Sequence, residues 1–284
     1  MKTVDTVVKD IYEVMDKGVV PDPDRLQAFI LDMTQAIQKQ LSPAGRDRPT
    51  HLRMSNIGKG DRQVWYEVNG NDTKEELTPD TRIKFLFGDM IEALVLYLVK
   101  EAGHEVTHEQ HEVQIGGIKG HTDCKIDGAM VDVKSASPFS FKKFVDGSLA
   151  DNDPFGYIAQ ISAYAHAEGS EDAGFLVMDK VLGKLCYMPV HDMDRIDPVA
   201  RIEHMKAVVA DKETPPTRCH EAVPEGKSGN MKLGINCSYC AHKDTCWSDV
   251  NDGAGLRLFT YSNGPVWLTQ VEKTPKVFEV VKDG

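Results

Sequence analysis

The stretch GHTDCKIDGAMVDVKSAS, residues 120–137, constrains the fold more than any other part of this 284-residue chain. Asp127-Gly128 is a two-residue hairpin signal, because both central positions of such a turn need positive φ. Strands are expected on either side of it, at about 121–126 and 129–135. With a two-residue loop Ile126 pairs with Ala129, which puts Asp123 opposite Asp132 and His121 opposite Lys134. Side chains opposed on one sheet face sit about 4.5–5.5 Å apart, and like charges there are destabilising. Side chains alternate along a strand, so Val131 and Val133 point one way and Asp132 and Lys134 the other. Two carboxylates and an ammonium therefore converge on one patch. A divalent cation between the carboxylates would turn repulsion into coordination, since Mg²⁺ favours one or two carboxylates plus water and phosphate oxygens. Lys134 would then position or activate a water, or stabilise charge on a phosphate. The plain alternative is a solvated strand face with alternating charges, and Asp-x-Lys is short enough to allow it.

The rest of the chain can supply a core for such a hairpin. Its content, 41% hydrophobic and 27% charged, is that of a globular protein. No apolar run is long enough to span a membrane. Residues 1–18 read as an amphipathic helix with Val4, Val7, Val8, Ile11, Val14 and Met15 on one side, without the apolar centre of a signal peptide. A cytoplasmic location is expected. The net charge of −11 argues against indiscriminate binding to nucleic acid but not against a local basic groove.

Asp22-Pro23 opens a second helix, with Asp as the cap and Pro at its first position. Its apolar stripe is Leu26, Phe29, Ile30, Met33, Ile37 and Leu41. Residues 82–100 form the strongest helical pattern, with Phe87, Ile91, Leu94, Val95 and Leu98 on one face. Short strands follow across roughly 105–135, then a helix after Pro154, two strands in AGFLVMDKV and KLCYMPV, and a helix near 194–211. Asn263-Gly264 predicts a second hairpin near the end. Helices and strands in this order around a single sheet point to an α/β or α+β fold.

Three further residues bear on the carboxylate patch. Gln160 and Tyr164 are four apart and share a helix face. Glu92 is a lone acid just inside an apolar helix. Each has an ordinary reading as an exposed polar residue. Cys124 and Cys186 read as small core residues. The other four cysteines are concentrated at 219–247, which in a cytosolic chain suggests a metal more than disulfides. Cys237-x2-Cys240-x5-Cys246 supplies three thiolates, and Cys219 precedes them. Zinc sites usually use two short Cys/His pairs; one CxxC followed by a wider gap suits iron–sulfur ligation at least as well.

Taken in order, Gly88-x-x-x-Glu92, Gly120-x-x-Asp123, Asp132-Val133-Lys134 and Gln160-x-x-x-Tyr164 resemble the PD-(D/E)XK nucleases of the RecB type. The chain is similar in particular to phage-encoded exonucleases and the CRISPR-associated iron–sulfur exonucleases, over roughly residues 50–250. The resemblance implies a restriction-endonuclease-like core with a central mixed sheet flanked by helices. It implies Asp123, Asp132, Glu92 and the Val133 backbone carbonyl as ligands of Mg²⁺ or Mn²⁺. Lys134 would be the catalytic lysine, and Gln160 and Tyr164 the helix pair that supports the site and contacts DNA. Many relatives have histidine where Glu92 stands; a carboxylate there is a harder ligand that suits the same ions. Related iron–sulfur nucleases also carry a C-terminal three-cysteine group, closed by a cysteine in an upstream Ser-x4-Cys-x-Arg. Here Ser55 and Arg62 are in place, but Gly60 stands where that cysteine would be. Cys219 is the substitute, with His220 and His242 as outsiders, and a 4Fe–4S cluster is expected ahead of zinc.

The segments expected are an N-terminal helical segment (1–50), a nuclease core (51–218), a cysteine segment (219–250) and a C-terminal hairpin extension (251–284). DNA is the expected partner. Arg53, Lys59 and Arg62, and then Lys142 and Lys143, supply local positive charge for a phosphate backbone, and Phe139, Phe141 and Phe144 are candidates for stacking on bases. The resemblance also leaves room for a homo-oligomer or a phage recombination partner. The expected activity is metal-dependent exonucleolytic hydrolysis of DNA phosphodiesters. The rivals are a structure-specific endonuclease and a non-catalytic DNA-binding module that keeps the fold.

Overall fold

A computed structural model describes residues 2–42, 50–70 and 78–281. In chain order the helices and strands begin with α1 (Val7–Lys17), α2 (Pro23–Leu41), α3 (Asp61–Asn69) and α4 (Pro79–Glu101). Five strands follow, β1 (Val106–Thr107), β2 (Glu112–Ile115), β3 (Ile118–His121), β4 (Cys124–Ile126) and β5 (Ala129–Ala136). Next come α5 (Pro138–Val145), α6 (Tyr157–Glu168), β6 (Ala173–Asp179), β7 (Leu185–Pro189) and α7 (Pro198–Ala210). The chain ends with β8 (Val223–Pro224), β9 (Met231–Lys232), α8 (Ile235–Ser238), α9 (Lys243–Cys246), β10 (Arg257–Tyr261), β11 (Gly264–Gln270) and β12 (Phe278–Val280).

These elements form two compact units. One comprises described residues 2–42, 53–58 and 78–204, the other 50–52, 59–70 and 205–281. The first is a mixed α/β unit built on a five-stranded sheet in the order β1-β4-β5-β6-β7, with β5 and β6 parallel and the other neighbours antiparallel. Helices flank it on both faces. Val4, Val7 and Ile11 of the N-terminal segment pack with Ile91, Val95 and Val99 of α4 against Val131, Val133 and Leu176. On the opposite face Phe144 of α5 lies edge-on to Phe175 of β6, their ring centroids 5.6 Å apart, beside Tyr157 of α6. This is the architecture expected of a restriction-endonuclease-like core.

Local chemistry explains the starts and turns. Asp22 caps α2, its side chain accepting from the Asp24 and Arg25 N–H groups at 3.0 and 3.1 Å, a contact worth about 1 kcal/mol. Asp127 and Gly128 both have positive φ, 51° and 90°. Asp127 also anchors the turn, accepting from the Glu105 N–H at 3.0 Å and meeting His104 Nδ1 at 2.6 Å. Gly156 caps α6 with φ 72°, and a Cβ there would lie 2.3 Å from the Gly58 Cα, so the two backbones touch as only glycines allow.

Four expectations need correction. The strand expected at 121–126 breaks into β3 and β4. Thr122 donates to the carbonyls of His111 (N–H, 3.0 Å) and His108 (Oγ1, 3.1 Å), so the backbone turns away from β5. His121 therefore pairs with Glu112, not Lys134. On α4 the buried stripe is Ile91, Val95, Leu96 and Val99, while Phe87 is exposed. The α2 stripe is mostly exposed too, with Phe29 stacked on Tyr97 at 4.9 Å. In the late hairpin Tyr261 pairs with Gly264, so the loop is Ser262-Asn263 and Gly264 begins the second strand.

The second unit carries an antiparallel sheet in the order β12-β10-β11-β9-β8, which takes the late hairpin into its centre. Leu233, Cys237 and Trp247 form a small buried cluster beside it. Trp65 of α3 donates its indole N–H to the Asp211 carbonyl at 2.6 Å. No helix among the described residues is long and apolar enough to cross a membrane.

Candidate functional sites

The Ile126–Ala129 pairing predicted from the turn is present, and the ladder continues to Cys124–Val131. There β4 ends, so the edge of β5 beyond Val131 is open. Asp123 sits at that opening, and its Oδ2 accepts the Val133 N–H at 2.9 Å. The N–H and C=O of one strand residue point to the same edge, so the Val133 carbonyl faces the same gap. Asp132, 2% exposed, and Lys134 project from the sheet face that carries α6. Lys134 Nζ lies 2.5 Å from Asp132 Oδ2, and that buried oxygen makes no well-formed hydrogen bond. Tyr157 supports the ammonium from behind, its ring centroid 4.9 Å from Nζ.

Glu92 reaches the same opening from α4 and is held by Gln110 Nε2, which donates to Oε1 at 3.0 Å. Gln160 donates to the Tyr164 hydroxyl at 3.1 Å, as their spacing predicts. Of the two motif glycines, only Gly120 makes room that a side chain would fill. A Cβ at Gly120 would meet Met54 Cβ at 2.6 Å and Tyr164 Cε1 at 3.0 Å, while one at Gly88 would come no closer than 3.9 Å to Ser135. All the carboxylates, the lysine and the Gln–Tyr pair belong to the first unit. Gln110 and Tyr157 were not legible as site residues, because one reaches Glu92 from a loop and the other underlies Lys134 through a tertiary contact.

The electrostatics are those of an anion cluster short of counterion. Burial, with the Asp132 and Glu92 carboxylates beside it, pushes Asp123 well above the usual range. Burial and the neighbouring Asp132 and Asp89 raise Glu92 to about 7. For Lys134 burial opposes the charged form, but Asp132 and Asp123 outweigh it and raise the ammonium's pKa. A divalent ion fits this donor set, because a buried carboxylate oxygen without a good hydrogen bond and two carboxyls reluctant to ionise both gain from a cation.

A pH dependence follows. Glu92 has an ordinary value of 4.5 and stands at about 7 in the fold. Between those values the folded chain binds more protons than the unfolded one, so stability falls as pH rises through the window and levels off above it. The metal-free protein is expected to lose on the order of 3 kcal/mol across it. Urea midpoints in EDTA would show the slope; Glu92→Gln should lessen it, the remainder coming from the raised Asp123, and Mg²⁺ should flatten it. A wild-type midpoint that does not move between the two pH values contradicts the assignment.

The second candidate site lies in the second unit. Cys219, Cys237, Cys240 and Cys246 line one pocket together with Arg62, Arg218 and His242. Burial raises Cys237 to about 11 and also raises Cys240 and Cys246, the last partly offset by Arg62 and Arg218. A Cβ built on Gly60 would lie 2.5 Å from Cys219 Sγ and 2.8 Å from Cys219 Cβ. The Cys219 thiol thus occupies the space a side chain at residue 60 would take. His242 is buried and stacks on Tyr66 at 5.4 Å, and His220 meets Asn236 at 3.2 Å.

The basic residues divide. Arg62 donates to the Pro216 carbonyl at 2.6 Å within the cysteine-bearing unit. Lys59 pairs with Glu67 at 3.1 Å, and Arg53 precedes the short turn Met54–Asn56. Lys142 is largely exposed and pairs with Asp146 at 2.5 Å; Lys143 donates to the Asn152 carbonyl at 3.1 Å. Phe141 and Phe144 are buried and so are core residues, not stacking platforms; Phe139 is exposed.

No family model matches the chain, and no curated protein matches it. Solved structures similar to it include SSO0001, at 12% identity over 74% of this chain and 92% of that one, with a TM-score of 0.41. Another is the alkaline exonuclease LHK-Exo from Laribacter hongkongensis, at 15% identity over 57% of this chain and 86% of that one, TM-score 0.34. The same exonuclease in complex with dAMP scores 0.36 at 16% identity, with the same shares of the two chains.

Proposed function

We propose that this chain is a divalent-metal-dependent deoxyribonuclease of the PD-(D/E)XK type, and that it acts as an exonuclease. The observation that carries the reading is the contact of Lys134 with Asp132 at the open edge of β5, where the side chains of Asp123 and Glu92 also converge. When bound, Mg²⁺ or Mn²⁺ would polarise the scissile phosphate and lower the pKa of a water. Asp132, Asp123, Glu92 and the Val133 carbonyl would hold that ion. Lys134, held in its charged form by the aspartates, acts as a donor: it orients the attacking water and stabilises charge on the phosphate. Gln160 and Tyr164 fix the face of α6 against which a strand lies, and Lys142 and Lys143 follow the phosphate backbone. Contacts of this kind position DNA without reading its sequence.

The cysteine pocket is read as a structural 4Fe–4S site with Cys219, Cys237, Cys240 and Cys246 as ligands. One CxxC followed by a wider gap, with Cys219 lining the same pocket, supports the iron–sulfur cluster over zinc, which usually takes two short Cys/His pairs. The biological setting proposed is phage DNA recombination, end processing or host DNA degradation.

The test supplies anaerobically purified protein with end-labelled linear DNA and covalently closed circles, in Mg²⁺, Mn²⁺ or EDTA. Degradation of linear DNA alone, abolished by EDTA, is the expected result. Cutting of closed circles would replace the exonuclease with an endonuclease. Binding without cleavage in either metal would leave a non-catalytic DNA-binding module.

A further inference from the structure

His108 and His111 belong to the sharp turn between β1 and β2, and Glu168 ends α6. One donor atom of each lies within 4.8 Å of the other two, and among the described residues this is the group of His, Cys, Asp and Glu side chains that meets that spacing. We propose that His108, His111 and Glu168 form a second metal site, for a divalent transition ion of the zinc class. It is distinct from the carboxylate site at Asp132, and it stands whether or not the nuclease reading holds.

The donor set selects the ion. Two imidazoles and one carboxylate suit zinc and its neighbours, whereas the oxygen donors around Asp132 suit Mg²⁺ or Mn²⁺. The geometry is close to closed already: His111 Nδ1 is 2.6 Å from Glu168 Oε1, and His108 Nε2 is 3.7 Å from Glu168 Oε2. Metal–nitrogen and metal–oxygen bonds of about 2.0–2.2 Å need donors a little over 3 Å apart, so small side-chain rotations suffice. Supporting contacts orient His108 and Glu168, as metal sites require. His108 Nδ1 meets Thr107 Oγ1 at 3.2 Å, which leaves Nε2 toward Glu168. Lys125 Nζ sits 3.1 Å from Glu168 Oε2 and holds the carboxylate, leaving Oε1 toward His111. Glu168 is buried at its side chain, while the two histidines are about half exposed, so water can complete the shell.

The backbone gives the site a purpose. His108 and Gln110 hold φ of 54° and 50°, unusual for residues with side chains. Thr122 ties the turn through the His108 and His111 carbonyls, and the Gln110 N–H donates to the Asp123 carbonyl at 3.1 Å. The Gln110 side chain in turn holds Glu92. An ion bridging this turn to the end of α6 would lock Gln110, and through it the positions of Asp123 and Glu92. In this scheme Gln110 is a positioning residue.

The experiment titrates the full-length protein with Co²⁺ and, separately, with Zn²⁺ against a chromophoric chelator. Wild type is compared with His108→Ala/His111→Ala and with His111→Asn. Thiolate-bound Co²⁺ has intense charge-transfer absorption that nitrogen and oxygen ligands do not give, so uptake by the cysteines is counted separately. In an Asp132→Asn background with excess Mg²⁺, which removes Co²⁺ uptake at the carboxylate site, one equivalent of Co²⁺ without thiolate absorption is expected, and it is absent when His108→Ala/His111→Ala is added. His111→Asn, which retains a polar contact to Glu168, should bind at least ~10-fold more weakly. Zn²⁺ should raise the Tm of wild type more than that of the double variant. Equal stoichiometry and midpoints in all three proteins, or uptake that is entirely thiolate-bound, overturns the site.

Discussion

Lys134→Ala and Asp132→Asn are each expected to slow cleavage of linear DNA by at least about a thousandfold, a loss near 4 kcal/mol of transition-state stabilisation. The expectation rests on the contact between Lys134 Nζ and Asp132 Oδ2, 2.5 Å apart in a site where Asp132 is almost wholly buried. Alanine removes the only ammonium that touches the carboxylates at the edge of β5 among the described residues. Asparagine removes the charge that would hold the metal while keeping the side chain's size. DNA binding should survive in both, because the proposed backbone contacts of Lys142 and Lys143 lie on α5. End-labelled substrate in single-turnover assays measures the rate, and a filter or gel assay measures binding. A rate within tenfold of wild type for either variant would remove that residue from the mechanism. The two need not differ in the same way: loss of the aspartate charge should also weaken Mg²⁺ binding, whereas loss of the lysine should not.

The second large effect concerns the cysteine pocket. Cys219→Gly is expected to lose the iron–sulfur chromophore, and Gly60→Cys in that background to restore it. Residue 60 has φ −68°, open to any side chain, and its Cβ direction points at the present Cys219 Sγ. A cysteine there, with residue 219 shortened to glycine so that the Cβ 2.8 Å away is also gone, brings a thiol to the same part of the pocket from the other side. Gly60→Ala alone should instead crowd Cys219 and lower iron content without removing a ligand. Iron and acid-labile sulfide per chain, with the visible spectrum of anaerobically prepared protein, report each variant. Full cluster content in Cys219→Gly, or a colourless Gly60→Cys/Cys219→Gly, would show that Cys219 is not the ligand that takes over from residue 60. Zinc instead of iron in the wild-type protein would leave the ligand exchange testable by the same variants.

Much of the first unit was legible because its signals are local. Asp22-Pro23 predicts a helix start, and Asp127-Gly128 predicts the turn that pairs Ile126 with Ala129. Both depend on residues within a few positions of each other, where backbone torsions and short hydrogen bonds decide the outcome. Gln160 and Tyr164 meet as helix spacing predicts, but Asp123 does not pair opposite Asp132: the ladder ends at Cys124–Val131, and Asp123 accepts the Val133 N–H instead. Where an outcome depended on a distant partner, the reading failed or was silent. The strand through His121 breaks because Thr122 bonds to the 108–111 turn, and no periodicity announces that competition. Phe141 and Phe144 share an aromatic and basic stretch with Phe139, yet only the packing of α5 beside Phe175 decides which of them are core.

By itself, then, the sequence determined the hairpin, the helix starts, the order of strands and helices, and the residue types available for metal chemistry. Each is set by interactions among neighbours along the chain. Only the tertiary structure decided that Cys219 stands in the space beside Gly60, that Gln110 holds Glu92, that Tyr157 underlies Lys134 and that Glu168 meets His108 and His111. These pairs lie 18 to 159 positions apart. Nothing in their local sequence carries their separation in space, which arises when the sheet and helices pack and bury their apolar faces.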